Sequence, residues 1–121
     1  MKVTKSHEAP PGPVDASHFH GSVTRQDYGE IPNPEGTALL VSFPPGARTH
    51  WHSHPEGQVL FVVEGVGRIG TRGGPAIEIR PGDLVHAPPD EEHWHGASES
   101  EPMQHLALSF GATRWLDPVE D

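Results

Sequence analysis

The chain has 121 residues, a length suited to one domain, and only 33% of them are hydrophobic, against 14 glycines and 14 prolines; this argues against long helices, and no run of about 18 apolar residues is present to span a membrane. Its formal net charge is −9, with 8 Lys plus Arg and 17 Asp plus Glu, so phosphate backbones would repel it and nucleic acid is not an expected partner. The absence of cysteine removes disulfides, thiol catalysis and thiolate metal ligation.

Residues 1–13, "MKVTKSHEAPPGP", show no apolar periodicity and no apolar signal core. A loose tail is expected there, a single domain over 14–121, and a cytoplasmic location. "SVTRQDY" (22–28) predicts a weak strand, "IPNPEG" (31–36) a turn, and "TALLVSF" (37–43) a strand stopped by "PPGA". "THWHSH" (49–54) alternates, and "QVLFVVEG" (58–65) is nearly continuous apolar, as in a strand buried on both faces. "GRIGT" (67–71) and "AIEIR" (76–80) predict a hairpin around "RGG". "PGDLVHAPP" (81–89) predicts a turn and a short strand, and "HWHGAS" (93–98) alternates again. "MQHLALSF" (103–110) predicts the last strong strand, before a closing segment with Trp115 and Leu116. Short strands at this spacing, with Gly/Pro turns, predict an all-β antiparallel sandwich or small barrel.

Five of the ten histidines fall in two alternating blocks, 50, 52, 54 and 93, 95. Residues two apart in a strand point to one face, so His52 and His54 can aim at one point. Imidazole is the commonest neutral ligand for first-row transition metals. Gln58 follows a Pro-Glu-Gly turn that can bring its amide oxygen back, and His93 arrives from a distant segment. Isolated His-x-His pairs are more often surface or hydrogen-bonded residues. Two pairs, each beside a Gly/Pro turn, favour a metal.

On these residues the sequence resembles a small single-domain cupin. The first cupin motif is matched by Gly46, five residues, His52-x-His54, three residues, Gln58, six residues and Gly65, with Gln in the Glu place. The second is matched by Gly82, five residues, Pro88-x-Asp90, two residues, His93, three residues and Ala97, with its Gly and Asn places altered. The resemblance, over roughly residues 20–115, implies an antiparallel jelly-roll barrel with His52, His54, Gln58 and His93 as metal ligands. Asp90 would then have to hold the left-handed turn usually given to glycine. "PGARTHWHSHPEGQ" and "EEHWHGA" are similar to a subgroup that includes carboxymuconolactone-decarboxylase-like proteins and manganese-dependent hydroxynitrile lyases. That resemblance implies a metal-dependent enzyme acting on a small organic substrate, and small cupins commonly form homodimers or larger homo-oligomers.

Three imidazoles and an amide leave a divalent ion at +2, where a carboxylate would leave +1. The more positive site polarises a bound oxygen more strongly and disfavours the oxidised metal. Lewis-acid lyase or isomerase chemistry is therefore favoured, including hydroxynitrile-lyase-like C–C cleavage. A dioxygenase is the second reading, and a non-catalytic binding domain the third. One divalent ion per chain is expected, with Mn²⁺ or Fe²⁺ first among Mn, Fe, Ni, Co, Cu and Zn.

His95 shares the parity of His93 and is a candidate base, or else a hydrogen-bonding partner of a ligand. His105 is a second catalytic candidate, or else a packed core residue. His50 is expected at the rim, and His18, His20 and His86 on the surface. Leu39, Val41, Leu60 and Val62 are candidate pocket walls. Trp51 and Trp94 are expected outside the barrel, between sheets or at a subunit contact, with Trp115 a further candidate for such a contact, and Arg48 and Arg72 are candidates for steering an anion.

Overall fold

Alternating short apolar segments and Gly/Pro turns produce an almost entirely β chain in a computed structural model, which describes residues 1–120. In chain order the strands are β1 (Gly12–Pro13), β2 (Phe19–His20), β3 (Thr24–Pro32), β4 (Glu35–Phe43), β5 (Arg48–Thr49), β6 (His52–Ser53), β7 (Gln58–Gly65), β8 (Gly67–Thr71), β9 (Ile77–Ile79), β10 (Leu84–Ala87), β11 (His93–Ala97), β12 (Met103–Phe110) and β13 (Arg114–Trp115). One sheet runs β1-β3-β4-β12-β7-β10. The other runs β13-β6-β11-β5-β2, with β8 on the far edge of β11 and β9 beyond it. Every pairing is antiparallel.

The two sheets enclose one core that includes Val41, Phe43, Leu60, Val62, Ile69, Ala97, Met103 and Ala107. β12 shows the alternation its sequence predicts, with Met103, His105, Ala107 and Ser109 buried and the residues between them half-exposed. This is the antiparallel jelly-roll that the sequence implies.

Some elements differ from expectation. The alternating block 49–54 is not one strand, because it breaks at His50–Trp51 into β5 and β6. β5 pairs with β2 and with Gly96 of β11, while β6 pairs with His93 and with β13. The break lets one segment serve two partners. It also leaves His52, Ser53 and His54 all buried, where alternation would expose one of them.

β7 is not buried on both faces. Leu60 and Val62 are fully buried, but Phe61 and Val63 on the opposite face are 41% and 47% exposed. Within residues 1–13, expected to be loose, β1 pairs with β3 and Ala9 is 2% exposed. The Arg25 guanidinium and the Gln26 amide donate to the Pro13 and Ala9 carbonyls, so polar contacts hold a segment that has no apolar face of its own.

Two backbone positions fix the entry to the site. Gly96 lies so close to β5 that a Cβ there would collide with the Ala47 carbonyl and the Arg48 backbone. Asp90 adopts φ 66°, the left-handed turn that the altered motif required of it. No helix among the described residues is long and apolar enough to cross a membrane.

Candidate metal centre

His52 on β6 and His93 on β11 sit directly opposite each other. Facing residues of an antiparallel pair place their side chains on the same side, and the two rings are 4.4 Å apart between centroids. His54 lies 5.0 Å from His52 and 5.6 Å from His93. Gln58 opens β7, and its amide nitrogen donates to Ser109 Oγ at 2.9 Å. That contact turns its Oε1 to within 2.9 Å of His93 Nε2. All four side chains are at most 4% exposed. His50 lies half-exposed beside them and contributes its carbonyl.

The hydrogen bonds decide which ring nitrogens face inward. His52 Nδ1 meets the His50 carbonyl at 2.9 Å, and His93 Nδ1 meets the Glu91 carbonyl at 2.9 Å. A carbonyl takes only a proton, so each Nδ1 is protonated and each neutral ring keeps its lone pair on Nε2. For His93 that lone pair then faces the lone pairs of Gln58 Oε1. His54 Nε2 is buried without any hydrogen-bond partner, while its Nδ1 lies 3.3 Å from Thr113 Oγ1. Buried polar atoms left unpaired are costly, and a cation would satisfy these lone pairs together. The residues present fit a divalent first-row ion.

Burial holds the imidazoles neutral. Desolvation pushes His54 and His105 down to about 4 and takes His52 and His95 well below the ordinary value. His93 is also lowered by burial, against the opposing Glu91 carbonyl. A depressed histidine pKa gives stability that is complete above the unfolded value near 6.5 and is lost as pH falls toward the folded value. Metal-free protein is therefore expected to be destabilised at pH 5 relative to pH 7.5, by about 2 kcal/mol for each of His54 and His105. Thermal melts in chelator at the two pH values measure this; equal melting temperatures would show that the rings are not buried neutral.

His95 lies two residues past His93, with its ring 5.1 Å from His52 and 5.7 Å from His93. One ring nitrogen from each of His52, His93 and His95 lies within 4.8 Å of the others. His95 Nδ1 is 2.9 Å from His105 Nε2. His105 Nδ1 is buried without a hydrogen-bond partner, so the His95–His105 contact is compatible with either ring as the donor. In the tautomer where His95 Nδ1–H donates to His105 Nε2, the buried and unpartnered Nε2 of His95 carries a bare lone pair. The sequence paired His95 with His93 by parity; only the structure links His95 to His105.

A cavity of about 90 Å³ adjoins these groups. Phe19, Leu39, Val41, Ala107 and Trp115 give it an apolar wall, and hydroxyls come from Thr37, Thr49, Ser109 and Thr113. Among the described residues, no Asp, Glu, Lys or Arg lines it. Leu39 and Val41 are walls, as expected, while Leu60 and Val62 are plain core.

Of the tryptophans, Trp51 and Trp94 stay out of the cavity lining and Trp115 enters it. Trp94 is 7% exposed with Arg48 and Arg68 over its ring, and Trp51 carries Arg72 at 4.0 Å. Trp115 lines the cavity, and His18, expected at the surface, stacks on it. Arg72 is engaged by Glu92 and Asp117 and has no place in the cavity lining. Phe19, Thr113 and Trp115 carry no local sequence signal for this site, because each lies far along the chain from His52, His54 and Gln58.

This fold and this cluster together define a cupin with an imidazole site able to hold a metal ion. The sequence pattern described as the Cupin domain matches residues 39–109, and the chain belongs to that family. A relative from Granulicella tundricola, named (R)-mandelonitrile lyase, is 41% identical over 126 aligned positions, covering all of this chain and 95% of that protein. The crystal structure of a cupin-like protein from Thermotoga maritima superposes with a TM-score of 0.85 at 38% identity, covering 90% of this chain and 86% of that one. A putative acetylacetone dioxygenase from Methylibium petroleiphilum shares the fold, with a TM-score of 0.78 at 12% identity, covering 99% of this chain and 86% of that one.

Proposed function

We propose that the protein is a metal-dependent lyase that cleaves a carbon–carbon bond beside a hydroxyl, as in a cyanohydrin, with His52, His54, Gln58 and His93 holding one divalent ion. The observation that carries this reading is the bare, buried Nε2 of His95 in the same cavity as the donor cluster. The full-length likeness to a mandelonitrile lyase supports it. When bound, the ion supplies Lewis-acid polarisation of a substrate oxygen.

The chain's own residues do the rest. His95 Nε2 takes the proton from the substrate hydroxyl, and the His105 ring behind it accepts from Nδ1–H and holds the tautomer. As the C–C bond breaks, the hydroxyl carbon becomes a carbonyl and the bonding pair leaves with cyanide, which receives the proton. The apolar wall takes the aryl or alkyl group and excludes water. The neutral donor set leaves the ion its full charge and disfavours its oxidised state, so we place oxygen activation second.

The test is racemic mandelonitrile with protein loaded with Mn²⁺ or Fe²⁺, following benzaldehyde by its absorbance. Benzaldehyde above the metal-only rate, without O₂ consumption, is the expected result. O₂ uptake with an electron-rich substrate such as a β-diketone, and no cyanohydrin cleavage, would sink the lyase reading in favour of an oxygenase.

A further inference from the structure

Among the described residues, His52 makes one hydrogen bond, from Nδ1 to the His50 carbonyl. A single bond of this kind fixes one point of the ring and leaves its tilt about that bond open. Tilt matters, because the Nε2 lone pair lies in the ring plane and must point at the ion.

Besides the packing of His54, His93 and His95 against the ring, a restraint on that tilt comes from β13. Trp115 sits directly opposite His52 in the β13–β6 pair, and its indole packs against the imidazole with centroids 4.7 Å apart at 40°. The indole is itself backed on another side. The His18 ring stacks on it at 4.3 Å and 8°, and Phe19 lies 5.6 Å away. The strand cannot drift, since Leu116 N donates to the Trp51 carbonyl at 2.8 Å and Trp51 N to the Asp117 carbonyl at 2.9 Å. Outside the cavity, Arg72 lies over Trp51 and binds Asp117 at 2.8 Å. Three aromatic layers, His18, Trp115 and His52, therefore run from the surface to the donor cluster.

We infer that Trp115 is a positioning residue, whose flat ring, backed by His18, fixes the plane of His52 and so the strength and geometry with which the cluster holds its ion. Groups that orient a metal ligand from behind commonly change metal affinity by about 10- to 100-fold when removed. The inference rests on the metal reading above, and its test separates the two.

The probe is Co²⁺, titrated into metal-free protein by calorimetry, with the visible d–d absorption reporting ligand geometry. Trp115→Leu fills the space without a flat ring and is expected to bind Co²⁺ about tenfold more weakly, with a shifted spectrum. Trp115→Phe keeps a flat ring and is expected to recover most of the affinity and the wild-type spectrum. Wild-type binding and spectrum in Trp115→Leu overturn the inference, as does a Phe variant no better than the Leu one. Far-UV circular dichroism establishes that each variant is folded. Should Trp115→Leu not fold, His18→Ala decides the matter: it removes the ring behind the indole, and Co²⁺ binding is expected to weaken several-fold, whereas unchanged affinity and spectrum overturn the inference. Absence of Co²⁺ uptake by the wild type overturns the metal reading and this one with it.

Discussion

His93→Ala protein is expected to emerge from purification with almost no transition metal, while the wild type holds about one ion per chain. His93 is 1% exposed, its Nδ1 is tied to the Glu91 carbonyl, and its Nε2 faces Gln58 Oε1. Its loss removes a donor and leaves the Gln58 oxygen facing an empty space. Outer partners of metal ligands are worth about 10- to 100-fold in affinity, so loss of a ligand should cost roughly 100-fold or more. Cyanohydrin cleavage should vanish in parallel. Elemental analysis of the two proteins after identical loading measures this. A full complement of metal in the variant would show that His93 is not a ligand.

His95→Ala is expected to divide binding from chemistry. If His95 is the base, the variant keeps its metal and loses turnover by roughly 10²- to 10⁴-fold, the usual range for a positioned general base. The measurement is kcat on mandelonitrile beside metal content. A ring nitrogen of His95 is close enough to those of His52 and His93 that metal content is the deciding control. Loss of the ion would make His95 a ligand, and retained turnover would remove it from the chemistry. His105→Ala is expected to give a smaller version of the same result, because in the proposed mechanism it reaches the substrate only through its contact with His95.

Much of the fold was legible from local pattern. β4, β7, β10, β11 and β12 fall where apolar alternation and Gly/Pro punctuation placed them. The spacing around Gly46, His52, His54 and Gln58, and the later His93, pointed to one cluster, and the structure brings those side chains together.

What stayed hidden depends on pairing between distant segments. Nothing local distinguishes Trp115 from a tryptophan at a subunit contact; its role follows from the register that sets it against His52. The break at His50–Trp51 was likewise invisible, because the sequence alternates straight through it, and competition between neighbouring strands decides where the chain turns. Ser109 lay on the correct face of β12 by parity, but its hydrogen bond to Gln58 depends on the β12–β7 register. The outer face of β7 misled for a different reason: Phe61 and Val63 resemble core residues, and nothing in a single strand tells whether a second layer covers them.

The pairing of His52 with both His93 and Trp115 also sets an order of events during folding. Before β6, β11 and β13 have met, the chain could offer an ion only the sequence-local sets His52/His54/Gln58 and His93/His95, each with fewer donors than the assembled cluster. An ion held by these donors would therefore arrive late, and would slow escape from the folded state, since its donors sit behind contacts of long sequence separation that must break before it is released. For a chain this short and this rich in non-local strand pairs, occupancy of the site would set how long each molecule survives as much as what it catalyses.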